Sequence, residues 1–336
     1  MLRLALPIAL LGLSACVTEI YVEEPIDPDP VETQPIVIER QPAEVTSDPR
    51  YLEFQGALAQ LQQAYADRDI QEMRRVLSIH RGKPNPEWAQ RSFDRFESLI
   101  PAVLLELQFE NSGQVLMQTE MPIAGAETDF LIVVPQVPSS NLVLPKGLDH
   151  CRFSVEASVT DISAFGERST QRTSAVVGVP EDTPISSEGL ELPFRLAAIP
   201  GAAAKREITL SVELLPGDAR SGDSFVPLRR TKLAADQFTA WPDGTEAIRK
   251  APKKHFDVFL RRRQKSTART VYVAAHFLEG QEKKEAVDEM LRLLRIMSLD
   301  DADFLRFTTA TLEVLTGAGL PLNDRDAWLN WGDRNR

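Results

Sequence analysis

Cysteine is almost missing: 336 residues carry two, Cys16 and Cys151. They lie so far apart that a bridge would have to tether the N-terminus, and no intramolecular disulfide is expected. Histidine is as sparse. His80, His150, His255 and His276 include no pair at the three-to-five spacing of a helical or finger metal site, so none is read as a metal ligand. Positive charge is short as well: 38 Lys and Arg against 49 Asp and Glu leave a formal charge of −11. That balance argues against a dedicated nucleic-acid binder, which would ask for a basic surface. Beyond the N-terminus no apolar run approaches 18 residues, so no internal segment is expected to span a bilayer. Gly-x-Ser-x-Gly, His-Glu-x-x-His, Ser-x-x-Lys and a phosphate-cradling glycine loop are all missing, and no reaction or cofactor can be read from the chain.

What is present begins with MLRLALPIALLGLSAC. Arg3 supplies a positive start, Leu4 to Leu13 an apolar stretch too short to span a bilayer, and small Ser14 and Ala15 precede Cys16, the layout of a secretory signal. Residues 17–50 then form a Pro-rich, acidic segment without helical or strand periodicity. Such a composition buries too little apolar surface to offset its ordering entropy, and it reads as a disordered spacer.

Leu13-Ser14-Ala15-Cys16 resembles the bacterial lipobox. The resemblance implies a signal peptide over 1–15, cleavage between Ala15 and Cys16, and acylation of the Cys16 thiol. It also implies a membrane partner through the acyl chains and a periplasm-facing place in a bacterial envelope. More than one chain is needed for a firm anchor, a condition a di- or triacylated cysteine meets. Val17 is not the aspartate that retains lipoproteins at the inner membrane of enteric bacteria, which favours the outer membrane.

Apolar spacing organises the rest into an α+β multidomain chain. Ser47-Asp48-Pro49 reads as a helix start, followed by Phe54, Leu58, Leu61 and Tyr65 at helical spacing. A second helix follows through Ile70, Met73, Val76 and Leu77. A third, opened by Asn85-Pro86, carries Ala89, Phe93, Phe96 and Ile100, so a helical region is expected over 51–100. From Pro101 the period changes to two. CRFSVEASVTDI and REITLSVELLPG alternate apolar and polar, and further strands are expected near 102–109, 113–119, 129–134, 171–178, 190–197 and 225–232. Eight or so short strands with no long helix between them predict an antiparallel sandwich over 101–242. Their spacing resembles an immunoglobulin-type sandwich, although the Cys…Trp…Cys signature is missing.

After Trp241-Pro242-Asp243-Gly244 helical spacing returns over 243–336, in runs near 245–263, 267–279, 282–297 and 301–316. The ending ADFLRFTTATLEVLTGAGLPLNDRDAWLNWGDRNR resembles a terminal HEAT-type repeat; a small helical bundle is an equal alternative.

Few constellations could carry chemistry. Residues 249–269 hold nine Lys or Arg and one acid, Asp257. Arg249, Lys250, Lys253, Lys254, Arg261, Arg262, Arg263 and Lys265 are candidates for a patch binding anionic lipid or an acidic partner. The bland alternative is a solvated face neutralised by Glu279, Glu282, Glu285, Asp300, Asp301 and Asp303. Trp328 and Trp331, three apart, are either an aromatic binding surface or a lid over the helical core. His150-Cys151 suggests a thiol–imidazole pair, but neighbours on a strand point to opposite faces. His80 is expected near a helix end, where positive charge is favourable, and His276 as a satisfied core residue. Gly317 reads as a helix C-cap, and the acids of Asn323-Asp324-Arg325-Asp326 as caps of the tryptophan segment. Together these features point to a membrane-anchored envelope lipoprotein that binds or scaffolds another envelope protein without catalysis. Two alternatives stay open: an envelope hydrolase or carbohydrate-active enzyme using unidentified carboxylates, and an electrostatic envelope-binding module using the basic stretch.

Overall fold

The computed structural model describes residues 50–134, 141–185, 189–233, 235–262, 265–298 and 301–335. The spacer and the Ser47-Asp48-Pro49 start therefore lie outside the described residues. The chain is α+β. Helices α1 (Tyr51–Ala66), α2 (Ile70–His80) and α3 (Glu87–Ser112) come first. Strands β1 (Gln114–Met117), β2 (Thr128–Val134), β3 (Leu142–Leu144), β4 (Gly147–Ile162), β5 (Arg168–Val179) and β6 (Thr183–Pro184) follow. Then come β7 (Leu190–Leu196), β8 (Lys205–Leu214), β9 (Gly217–Ser221), β10 (Ser224–Leu228), β11 (Thr231–Lys232) and β12 (Asp236–Ala240).

Three antiparallel sheets result, in the orders β1-β2-β7, β10-β9-β3-β6 and β5-β4-β8, the far edge of β8 being shared by β11 and β12. The period-two pattern fixes the register. Phe153, Val155, Ala157 and Val159 of β4 are buried opposite Leu214, Val212, Leu210 and Ile208 of β8, while their neighbours face outward. Where β4 meets β9 the backbones approach so closely that a Cβ on Gly217 would lie 1.9 Å from the His150 carbonyl oxygen. Only glycine fits there.

Residues 102–109 are not a strand. The third helix continues through Pro101 to Ser112, 26 residues in all, and α3 lies against the sheets, with the Phe109 and Phe153 rings 5.7 Å apart. Leu105-Glu106-Leu107-Gln108-Phe109 imitates strand alternation, but burial follows the helix. Leu99, Ala102, Val103, Glu106 and Phe109 are buried, and Leu107 is not. Burying that face outweighs the roughly 3 kcal/mol penalty of an interior proline. The expected strand over 225–232 is likewise split: β10 and β11 join different sheets, and Arg229 between them turns toward α3.

The remaining helices are α4 (Thr245–Lys250), α5 (Pro252–Arg262), α6 (Ala268–Ala275), α7 (Gly280–Ile296), α8 (Ala302–Thr316) and α9 (Arg325–Arg334). The run expected as one helix over 245–263 breaks at Ala251, and Pro252 opens α5, a position where its missing N–H costs nothing. Gly317 caps α8 in the left-handed conformation (φ 63°), its N–H donating to the Glu313 carbonyl at 2.7 Å. Two apolar cores form. One joins α1–α3 to the inner sheet faces, and the other joins α4–α9 to Ile162, Ala164 and Ala204 from the ends of β4 and β8.

Candidate functional site

Ala15 and Cys16, the cleavage and acylation positions, lie outside the described residues. The basic stretch is placed in part. Arg249 pairs with Glu120 at 2.9 Å, Lys250 with Glu246 at 2.6 Å, and Lys253 with Glu285 at 2.9 Å. Lys253 is raised above its ordinary pKa, first by its hydrogen bond to Glu285. Lys254 is exposed. The backbones of Arg261, Arg262 and Lys265 close α5 and open the 3₁₀ turn before α6, while their side chains and all of Arg263 lie outside the described residues. Of the four candidate patch cations whose side chains are described, three are thus engaged by acids, Glu285 being among those expected to neutralise the stretch.

Trp328 is wholly buried, and its indole N–H donates to the Pro321 carbonyl at 3.0 Å. It belongs to the core of the helical region and cannot serve as an aromatic binding surface. Trp331, half-buried, meets it edge-on at 6.2 Å. The acids before them act as caps: the Asp324 carboxylate accepts from the Ala327 N–H at 2.9 Å. Asn323, Asp324, Arg325 and Asp326 also rim an open depression with Leu305 and Pro321.

Cys151 and His150 point to opposite faces of β4. The thiol is buried and free, and desolvation pushes its pKa up to about 12, which leaves no thiolate for nucleophilic attack near neutral pH. His150 stacks on the half-exposed Phe225 with centroids 5.0 Å apart. His80 departs from expectation. It ends α2, but its ring is buried against Phe93 at 4.8 Å, and desolvation lowers its pKa, so the neutral form is favoured over a helix-end cation. His276, expected to be satisfied, packs on Trp241 and Tyr272 with its Nε2 buried and without a hydrogen-bond partner; desolvation takes its pKa down to about 4.

The most developed polar cluster was not singled out from the sequence. Glu106, within the apolar face of α3, accepts from the Arg229 backbone N–H at 2.7 Å and from its Nε at 2.9 Å. Arg68 approaches the same carboxylate at 3.5 Å. The Arg229 guanidinium also donates to the Tyr65 carbonyl at 2.7 Å and lies 4.4 Å from the centre of the Tyr65 ring. A signal existed: one acid inside PAVLLELQF, matched by Arg229-Arg230 between two strands. This carboxylate is fully engaged by fixed cations and donors, so the cluster holds α3 on the sheets and offers nothing to a substrate.

Arg206, buried and bidentate to the partly buried Asp161 at 2.6 and 2.9 Å, borders a cavity of about 10 Å³ with Thr128, Val159 and Ile208, room for one water. Among the described residues no group of three or more His, Cys, Asp or Glu could hold a metal ion, and no helix is long and apolar enough to cross a membrane.

No family model matches the chain, and no curated protein does. Among solved structures it is similar to Spo0M, a sporulation control protein from Bacillus subtilis, at 11% identity over 44% of this chain and 54% of that one, with a TM-score of 0.22. The chain thus spans about half the length of that neighbour. A likeness of that size assigns neither fold family nor activity.

Proposed function

We propose that the chain is a bacterial envelope lipoprotein, anchored by acylated Cys16 and holding a non-catalytic binding or scaffold body beyond a spacer of residues 17–50. The observation that carries this reading is Leu13-Ser14-Ala15-Cys16 at the end of a short apolar run behind Arg3, followed at once by the Pro-rich acidic segment. The body supports it by how its polar groups are used. Its central carboxylate is clamped by arginines, its described thiol is held protonated, and two histidines are held neutral by burial. These groups build structure. In the same reading residues 101–242 are an immunoglobulin-type sandwich, residues 243–336 a terminal HEAT-type repeat or small bundle, and the membrane is the outer one. Fold-level analogy favours a binding surface on such elements.

The test is the mass of the N-terminal peptide from protein made in a bacterium that processes lipoproteins, beside Cys16→Ala. The expected result is a peptide beginning at Cys16 and carrying acyl chains, with wild type in the membrane fraction. An unmodified N-terminus, or equal release of both proteins, overturns the anchor.

A further inference from the structure

The start of α1, the end of α2 and the start of α3 converge at one end of the helical region. Arg50 donates through its guanidinium to the Pro84 carbonyl at 3.0 Å, and the Tyr51 and Trp88 rings lie 5.8 Å apart. Buried Phe54 ties the three ends together, its ring centre 5.7 Å from those of both His80 and Trp88. Two apolar side chains at this junction remain in water. Leu52 keeps 79% of its surface exposed, the most of any large apolar residue described, and Ile79 keeps 43%. Tyr51 and Trp88 are half-buried, and the turn from Arg81 to Pro84 is exposed. Cations gather here although the chain as a whole is acidic: Arg50, Arg81, Lys83 and Arg91 stand against Glu53, Glu87 and Glu97. Arg81 pairs with Glu97 and Arg91 with Glu87, yet both arginines stay about three-quarters exposed. Lys83 is exposed and has no ion pair among the described residues. Neither Arg50 nor Pro86 supplies a capping side chain, so the first-turn N–H groups of α1 and α3 point out of the same end as these cations.

We infer that this end is a second membrane contact: Leu52 and Ile79 enter the headgroup region of an anionic bilayer, Tyr51 and Trp88 lie at its boundary, and Arg50, Arg81 and Lys83 meet lipid phosphates. Position and chemistry select this occupant. Residues 17–50 lead from Cys16 to this junction, because Arg50 precedes the first turn of α1. On the envelope-lipoprotein reading, on which the inference rests, the bilayer that holds Cys16 therefore reaches the body here first. Apolar tips, amphipathic rings and long cations are also the side chains that a bilayer interface takes up in order of depth. The cations draw anionic headgroups, while the paired Glu87 and Glu97 are already neutralised by Arg91 and Arg81. The basic stretch over 249–269 takes no part in this contact.

The test places a fluorophore on the full-length chain at Leu52→Cys or, for comparison, at Ile296→Cys, an exposed apolar position on the second core. Cys151 is buried and stays unlabelled, and the Ile296→Cys protein accounts for any label on Cys16. Protein made in a bacterium that processes lipoproteins is reconstituted on vesicles of phosphatidylethanolamine and phosphatidylglycerol carrying a nitroxide lipid. Quenching at position 52 should exceed that at 296 by about threefold or more. It should fall about threefold with Lys83→Glu, and likewise when phosphatidylcholine replaces phosphatidylglycerol. Equal quenching at the two positions, or quenching at 52 that survives both Lys83→Glu and the neutral lipid, overturns the inference. If the N-terminal peptide is acylated and position 52 stays unquenched, this inference falls and the anchor stands. If the peptide is unmodified and position 52 is still quenched, the anchor falls and the membrane contact stands.

Discussion

His276 sits where the two cores meet. Trp241, whose backbone pairs with the Pro122–Ala124 segment, presses its ring on His276 at 5.0 Å and on Phe277 at 5.1 Å. Burial disfavours the imidazolium first, Lys205 adds to that, and Glu207 opposes it, leaving a folded pKa of about 4 against an ordinary 6.5. Because the folded pKa of this base is depressed, the unfolded chain binds the proton more readily between those values. Stability is therefore full above about pH 6.5 and falls as the pH drops toward 4, by about 3 kcal/mol from this residue at the lower end. His276→Phe should flatten the acid limb of urea midpoints measured across that range. Some slope should remain, because His80 is shifted in the same direction. Parallel limbs in wild type and variant would remove His276 as the cause. At this scale the sequence revealed residue types but not their dielectric: nothing in SIHRGK says that the histidine ring is roofed by Phe93.

Helix ends were more legible than helix interiors, because a cap is local and a packing face is not. Asp324, three residues before Ala327, reads as a cap from spacing alone, and its carboxylate takes the Ala327 N–H as expected. Asp324→Ala should cost about 1 kcal/mol in equilibrium unfolding, and Asp324→Asn, which keeps the acceptor, much less. Equal losses from both would point to charge at the helix N-terminus in place of the hydrogen bond. The α3 interior shows the reverse. Pro101 argues locally for a boundary and Leu105–Phe109 for alternation, and both signals give way to a partner 123 residues away, since Glu106 is polar in sequence and buried in space by Arg229. The long alternating strands β4 and β8 were legible because one face is covered from Cys151 to Val159 of β4 and along the whole of β8. The splitting of 225–232 was not, because Arg229 leaves the ladder for a contact on another element.

At the scale of the whole molecule, the change from strand to helical spacing near Trp241 marks where the second core begins along the chain, but not what completes it. Ile162, Ala164 and Ala204 lie in or beside strands and are buried among the C-terminal helices, so that core borrows the end of the β4–β8 ladder. The first core, from Phe54 to Ala240, shares none of the fully buried side chains of the second. Cooperative units follow contiguous packing, so the two should open separately under native conditions. Trp328→Ala deletes the largest buried side chain of the second core, and a buried Trp→Ala change typically costs about 3–5 kcal/mol. Hydrogen exchange read by mass spectrometry should then quicken across 245–334 and at the 160–164 end of β4. The 153–157 stretch of that same strand, packed under Phe109, should exchange as in wild type. If exchange rose uniformly over β4, the two cores would be one cooperative unit, and the sheet would transmit the loss that the separate packing is expected to contain.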